Sequence, residues 1–75
     1  MKRIGTVSRV AQGLAIVRAP GEEYADVGTT VVDETLATVG SVVDVFGPVD
    51  RPYLAVSPDD DVHLPGLVGA VLYAR

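Results

Sequence analysis

Glycines and prolines divide this chain of 75 residues into short apolar segments that are rich in valine. Eight glycines and five prolines interrupt the sequence, and 15 of its residues are valine. Side chains branched at Cβ lose rotamer freedom in a helix and pack well on a pleated sheet, so they favour strands. Short apolar segments separated by turn residues are typical of an all-β barrel or sandwich.

The spacing of these glycines, prolines and apolar segments predicts six strands, at residues 4–10, 14–18, 29–32, 41–46, 53–56 and 68–73. Gln12 and Gly13 lie between the first two strands, where glycine tolerates the positive φ of a tight hairpin turn. Residues 33–39 are the one stretch predicted to turn helically, with Asp33 as its cap and Gly40 as its stop. Six short strands in a flat sheet would leave two exposed edges, so closure into a small six-stranded β-barrel is favoured.

The length of the chain limits both its domain organisation and its chemistry. Residues 1–75 are expected to form a single β-barrel domain. A chain this short buries about 60–65% of its unfolded surface, so an enzyme with its own enclosed cleft is not expected. The sequence has no cysteine and one histidine, which removes thiol nucleophiles and the usual zinc ligand sets. We therefore expect a non-catalytic protein without a cofactor or a metal.

The charge balance argues against direct binding to nucleic acid. Ten acidic residues oppose six basic ones and leave a formal net charge of −4. Affinity for RNA or DNA depends largely on Lys and Arg that neutralise phosphates, and here these residues are few and scattered. No secretory segment follows the first residues, and no apolar run reaches the roughly 20 residues needed to cross a bilayer. We expect a cytoplasmic protein that binds neither DNA nor membranes.

Three other candidate sites have simpler structural interpretations. Asp59, Asp60 and Asp61 could attract a divalent cation, but the alternating ligands and later bidentate Glu of a calcium loop do not follow. A solvated acidic loop is the favoured interpretation, and His63 is expected in the same solvated region. The glycines of residues 66–69 have the spacing of a nucleic-acid-clamping loop, but they precede an apolar strand and instead favour a bend or bulge.

The segment at residues 45–53 combines rigidity with aromatic side chains. Pro48 and Pro52 fix φ and bias the preceding residues toward extended geometry. The stiffened loop carries three large apolar residues with an arginine at its tip, namely Phe46, Val49, Tyr53 and Arg51. Rigid aromatic anchors beside an arginine are typical of interface hot spots. A proline-braced turn whose aromatic rings close the barrel end explains the same residues equally well.

Three blocks of this sequence resemble the archaeal Gar-type subunit of H/ACA ribonucleoproteins, the particles that convert uridine to pseudouridine in ribosomal RNA. The blocks are GTTVVDE at residues 28–34, VGSVVDVFGPVDRPYLAV at 39–56 and LVGAVLYA at 67–74. The opening IGTVSRVAQGLAIVRA fits the first hairpin of the family, so the resemblance covers nearly the whole chain. The FGPV and PY elements of the central block are its most specific part.

The resemblance implies a six-stranded barrel of the translation-factor type that docks on the catalytic domain of the pseudouridine synthase. There it is expected to bias a mobile loop of the synthase, so that substrate RNA is loaded and product released. The catalytic aspartate belongs to that partner. The implied docking surface consists of Val45, Phe46, Gly47, Pro48, Val49, Pro52 and Tyr53, with Phe46 and Tyr53 as anchors. The Gly/Arg-rich tails of eukaryotic relatives are absent, so guide and substrate RNA are expected to be contacted only indirectly, through the synthase.

Two other functions are compatible with parts of the sequence. A ribosome-maturation or translation-factor-like barrel that binds a ribosomal protein would share the fold and the acidic surface, but it does not explain the FGPV and PY elements. A stand-alone binder of single-stranded RNA should show an RNA affinity that falls steeply with salt.

Overall fold

Six strands and one short 3₁₀ helix make up the computed structural model, which describes residues 2–75. The strands are β1 (Lys2–Ala11), β2 (Leu14–Arg18), β3 (Thr30–Val32), β4 (Thr38–Phe46), β5 (Tyr53–Pro58) and β6 (Val71–Ala74), and the 3₁₀ helix is Leu64–Leu67. Every pairing is antiparallel, the order is β1-β2-β5-β4-β3-β6, and pairing of β6 with β1 closes the ring. The predicted all-β, closed six-stranded barrel is confirmed. The described part of the chain contains no helix long and apolar enough to cross a membrane.

Small and β-branched side chains fill the barrel interior. The buried core consists of Ile4, Val7, Ala15, Val17, Ala19, Val31, Val39, Val42, Leu54, Val56 and Leu72. Val62, Leu64 and Leu67 pack against this core from the connection between β5 and β6. That connection, which includes the 3₁₀ helix, therefore covers part of the interior. The first hairpin turns at Gln12 and Gly13, both with positive φ, as the sequence predicts.

A β-bulge changes which residues of β4 face the core. The pairing of β4 with β5 shifts register between Val42 and Asp44. Strict alternation of the sequence would place Val42 and Val45 on opposite faces of the strand. Instead Val42 is buried and Val45 packs against the core, whereas Val43 is 44% exposed. An extra residue in one strand shifts the alternation by one, so both valines face inward.

The predicted helical turns at residues 33–39 are wrong. One carboxylate oxygen of Asp33 accepts hydrogen bonds from the backbone N–H of Thr35, the hydroxyl of Thr35 and the N–H of Ala37. These bonds hold an open loop in which Leu36 has a φ of 71°. The hydroxyl of Thr35 is also the main reason that the pKa of the Asp33 carboxyl is lowered. Local bonds of this kind compete with helix formation, which explains the difference from the prediction.

The last strand is shorter than predicted. It begins at Val71, and residues 68–70 instead follow the 3₁₀ helix in a turn. The N–H of Ala70 donates to the carbonyl oxygen of Leu67, with a donor–acceptor distance of 2.8 Å. Gly69 has a φ of 88°. The predicted bend is therefore present, and it occupies the first three residues of the predicted strand.

Gly40 lies within β4, at a close approach to β5, and not at the end of a helix. A Cβ built on Gly40 would overlap the backbone carbonyl oxygen of Ser57. Gly40 pairs with Pro58, so the backbone of β5 passes directly beside it. Glycine is required here because a backbone carbonyl within a paired strand cannot move aside as a flexible side chain does.

We expect Gly40→Ala to lower the free energy of unfolding by about 3 kcal/mol, because the new methyl group forces β4 and β5 apart. Urea unfolding followed by circular dichroism measures the change. Gly21→Ala is the matched control, since no atom lies within 4 Å of a Cβ built there. The control should stay within about 0.5 kcal/mol of the wild type. Equal stability of the two variants would contradict the close approach.

Candidate docking surface on the β4–β5 hairpin

The residues assigned to the predicted docking surface all lie on the hairpin of β4 and β5, but they differ in exposure. Phe46, Gly47, Pro48 and Val49 are exposed, Val45 and Tyr53 are half-buried, and Pro52 is buried. Val49 is 92% exposed, whereas the side chain of Val45 packs against the barrel core. The accessible part of this surface is therefore residues 46–49 together with the exposed part of the half-buried Tyr53.

A stack of three side chains crosses β4, β5 and β2 beside the hairpin loop. Strand register places Phe46 opposite Tyr53, and Tyr53 opposite Arg18. The two ring centroids are 5.7 Å apart, with an angle of 20° between the ring planes. The guanidinium carbon of Arg18 lies 4.8 Å from the centroid of the Tyr53 ring, and its Nη1 donates a hydrogen bond of 2.7 Å to the tyrosine hydroxyl. Tyr53 is therefore held from both sides.

Both rings of the stack lie on the outer face of the barrel. The neighbouring side chains of Val45 and Leu54 point toward the core, so alternation along each strand directs Phe46 and Tyr53 outward. Neither aromatic residue belongs to the buried core, and Phe46 remains 39% exposed. This placement favours a surface role for the rings over closure of the barrel end.

Hydrogen bonds tie the hairpin loop to the end of β2. The N–H of Ala19 donates to the carbonyl oxygen of Pro52, and Nε of Arg51 donates to the carbonyl oxygen of Ala19. Both donor–acceptor distances are 3.0 Å. Arg51, the arginine predicted at the loop tip, is therefore fixed in place by the backbone of Ala19. A loop held in this way loses little conformational entropy when it binds a partner.

Gly47 is the position where the loop turns beneath the tyrosine ring. Its φ is 92°, and a Cβ built there would lie 2.9 Å from Cδ2 of Tyr53. The backbone of Gly47 therefore lies close against the ring of Tyr53. Glycine is needed at this position for the positive φ as well as for the space that the ring occupies.

Arg18 is the residue of this surface that sequence reasoning missed. It lies 35 residues before Tyr53, and only the pairing of β2 with β5 brings the two together. Its Nε is buried and has no hydrogen-bond partner within residues 2–75. No local spacing signals a contact of this kind, because the two residues belong to different hairpins.

Within residues 2–75, the fold does not bring the other candidate residues together into a catalytic or metal site. His63 and the aspartates at residues 59–61 are exposed, as predicted. Among the described residues, no three His, Cys, Asp or Glu side chains are grouped so that they could hold a metal ion.

A groove of about 170 Å³ lies beside the start of β1, where Lys2 forms an exposed ion pair of 2.8 Å with Glu23. Hydrogen bonding to this lysine lowers the pKa of Glu23, and no residue of the hairpin lines the groove.

A family model described as Gar1/Naf1 RNA binding region matches residues 1–74, which include the whole β4–β5 hairpin. The chain belongs to this family. The match confirms the resemblance to the Gar-type subunit of H/ACA ribonucleoproteins and agrees with a non-catalytic, RNA-associated protein.

Two proteins of archaea are similar over most of their length. An uncharacterized protein of Methanothermobacter thermautotrophicus is 29% identical over 76 residues, which cover 97% of this chain and 82% of that protein. An uncharacterized protein of Methanocaldococcus jannaschii is 29% identical over 65 residues, which cover 85% of this chain and 76% of that protein. The aligned region therefore covers most of each relative.

We expect Tyr53→Phe to lower the free energy of unfolding by about 1 kcal/mol, because the half-buried guanidinium of Arg18 loses its hydrogen-bond acceptor. Arg18→Met should couple to Tyr53→Phe by about 1 kcal/mol in a double-mutant cycle. Urea unfolding of the four proteins measures this coupling. Tyr24→Phe, on the exposed connection between β2 and β3, is the control and should not couple to Arg18→Met. Strictly additive effects of the Tyr53 and Arg18 changes would contradict the contact.

Proposed function

We propose that this chain is a non-catalytic subunit of an H/ACA RNA-guided pseudouridylation particle that modifies ribosomal RNA. Its single barrel domain docks on the catalytic domain of the pseudouridine synthase through the β4–β5 hairpin. The observation that carries this proposal is the outward stack of Phe46, Tyr53 and Arg18 on a loop that is already held in one conformation. Membership of the Gar1/Naf1 family supports the particle, and the stack supports the surface.

The docked subunit assists substrate RNA loading and product release by contacting the conformations of a mobile synthase loop unequally. A ligand shifts a conformational equilibrium only by the difference between its affinities for the two states. A rigid hairpin suits this role because its contacts cannot relax to fit every loop position equally well. Loop steps limit turnover in many enzymes, so a subunit without catalytic groups can still raise the rate.

The charge distribution supports contact with RNA through the synthase. The net charge is −4, and the aspartates at residues 59–61 are exposed. The arginine of the stack and the arginine of the hairpin loop are already engaged, Arg18 by Tyr53 and Arg51 by the carbonyl oxygen of Ala19. Few basic groups are left to neutralise phosphates, so RNA binding is here a property of the assembled particle.

Phe46→Ala and Tyr53→Ala should each weaken binding to the synthase of the same organism by about 2 kcal/mol or more, since each removes an aromatic anchor. Isothermal titration calorimetry measures the affinity, and circular dichroism verifies the barrel. Tyr24→Ala is the matched control, because Tyr24 is a 51% exposed aromatic residue outside the hairpin. Unchanged affinity of both hairpin variants, with the fold intact, would refute the docking surface.

The alternative is a ribosome-maturation or translation-factor-like barrel that binds a ribosomal protein. Gel filtration of the chain with the synthase, without RNA and in high-salt buffer, separates the two functions. A stoichiometric complex that persists in high salt supports the H/ACA subunit, because an apolar interface resists salt. Separate peaks, from a synthase that still binds its other partners, would favour the alternative.

The isolated chain should bind single-stranded RNA weakly at most, because its surface is acidic. Fluorescence anisotropy with a labelled RNA, repeated over a series of salt concentrations, measures this. We expect no saturable binding at physiological salt. A measurable affinity that falls steeply as salt rises would instead assign direct phosphate contacts to the barrel.

A further inference from the structure

The end of β4 has a pairing partner on one side only. β3 pairs with β4 as far as Ser41, and hydrogen bonds from the preceding loop extend this contact to Val42. Beyond that point, within residues 2–75, Val43 lies at the bulge and residues 44–46 pair with β5 alone. Residues 43–46 therefore form what we term the open edge of β4. The barrel is closed over most of its circumference, but at this edge the backbone of β4 has no neighbouring strand on the side away from β5.

The bulge directs the backbone of Val45 out of the open edge. The N–H of Val42 donates to Thr29 and its carbonyl oxygen accepts from Gly28, so both groups of Val42 face away from β5. In a regular strand Asp44 would be the next residue to face this way, but the extra residue shifts the position to Val45. Consistent with this, the N–H of Val45 donates to the Asp44 carboxylate, with a donor–acceptor distance of 2.9 Å.

Apolar side chains flank the open edge. Val43 is 44% exposed and Phe46 is 39% exposed. Val27, which is 62% exposed, lies on the loop that is hydrogen-bonded to Val42. The edge therefore offers backbone groups that face outward beside apolar side chains. An extended peptide that adds to a sheet requires this combination, since its backbone provides affinity and its alternate side chains provide specificity.

Asp44 determines which kind of strand fits the open edge. Its exposed carboxylate occupies the hydrogen-bonding position that an added strand would need at Val45. A second copy of this chain would bring its own Asp44 and its own net charge of −4 to the contact, which disfavours self-pairing. A strand that carries a lysine or arginine is favoured instead, because its positive charge attracts the carboxylate of Asp44 away from the N–H of Val45.

We propose that the open edge of β4 accepts an extended segment of the synthase as an added strand. The N–H and carbonyl of Val45 pair with the backbone of this segment, its apolar side chains meet Val43 and Phe46, and a lysine or arginine lies beside Asp44. The identity of the partner rests on the proposed function, and the strand addition is the new element. Docking then combines backbone hydrogen bonds at the edge with the aromatic anchors of the hairpin.

Amide hydrogen exchange, measured by NMR on the labelled 75-residue chain free and bound to the synthase, tests the strand addition. The N–H of Val45 should exchange at least tenfold more slowly in the complex, because a backbone carbonyl within a sheet replaces an exposed side chain as its acceptor. The N–H of Ala37 is the matched reference, since it also donates to a nearby carboxylate, that of Asp33, in the loop between β3 and β4. Its exchange rate should not change.

The possible results separate the strand addition from the proposed function. A stable complex in which Val45 exchanges as fast as in the free chain overturns the strand addition and leaves the docking partner intact. Failure to form any complex overturns both. Protection of Val45 that grows with the concentration of the free chain assigns the edge to a second copy and overturns the proposal.

Asp44→Asn tests the basic residue on the added strand. Asparagine retains an oxygen that can accept from the N–H of Val45, but it lacks the charge. We expect affinity for the synthase to fall about fivefold at low salt, and less at high salt. Asp60→Asn is the matched control, because it removes the same charge from an exposed loop outside the hairpin. Equal affinities of the two variants would overturn the proposed contact with a lysine or arginine.

Discussion

The pairing of β2 with β5 joins the two hairpins of the barrel, and the remaining structure depends on it. One hairpin contains β1 and β2, the other contains β4 and β5, and β3 and β6 close the ring between them. The shared register places Val17 opposite Leu54 in the core. On the outer face the same register brings Arg18 to Tyr53. One set of backbone hydrogen bonds therefore forms the core and assembles the candidate docking surface.

The extra residue of β4 opposite β5 has three consequences. It turns Val42 and Val45 to the same face, so both contribute to the interior. It leaves Val43 exposed on the outside, and it directs the N–H of Val45 away from β5, where the Asp44 carboxylate accepts from it. Bulges of this kind commonly end pairing or redirect side chains near functional sites. Here core packing, surface exposure and the open edge are consequences of one local insertion.

The β4–β5 hairpin is a part of the surface that is held in one conformation by contacts within the barrel. The core consists of valine, alanine, isoleucine and leucine side chains, and the groove beside β1 is separate from the hairpin. A small surface that is rigid before a partner arrives loses little conformational entropy on binding. The hairpin meets that requirement through the bonds of Ala19 and Arg51 and through Gly47 beneath the Tyr53 ring.

The sequence by itself determined the strand number, the tight first turn, barrel closure and the hairpin that carries Phe46 and Tyr53. Those features depend on local signals, namely valine-rich segments and turn residues. The tertiary structure decided the inward turn of Val45, the contact of Arg18 with Tyr53 and the role of Gly40 beside β5. These depend on strand register, and a shift of one residue moves every following side chain to the opposite face. No local pattern specifies that register, because it is set by backbone pairing between segments that are far apart in the chain.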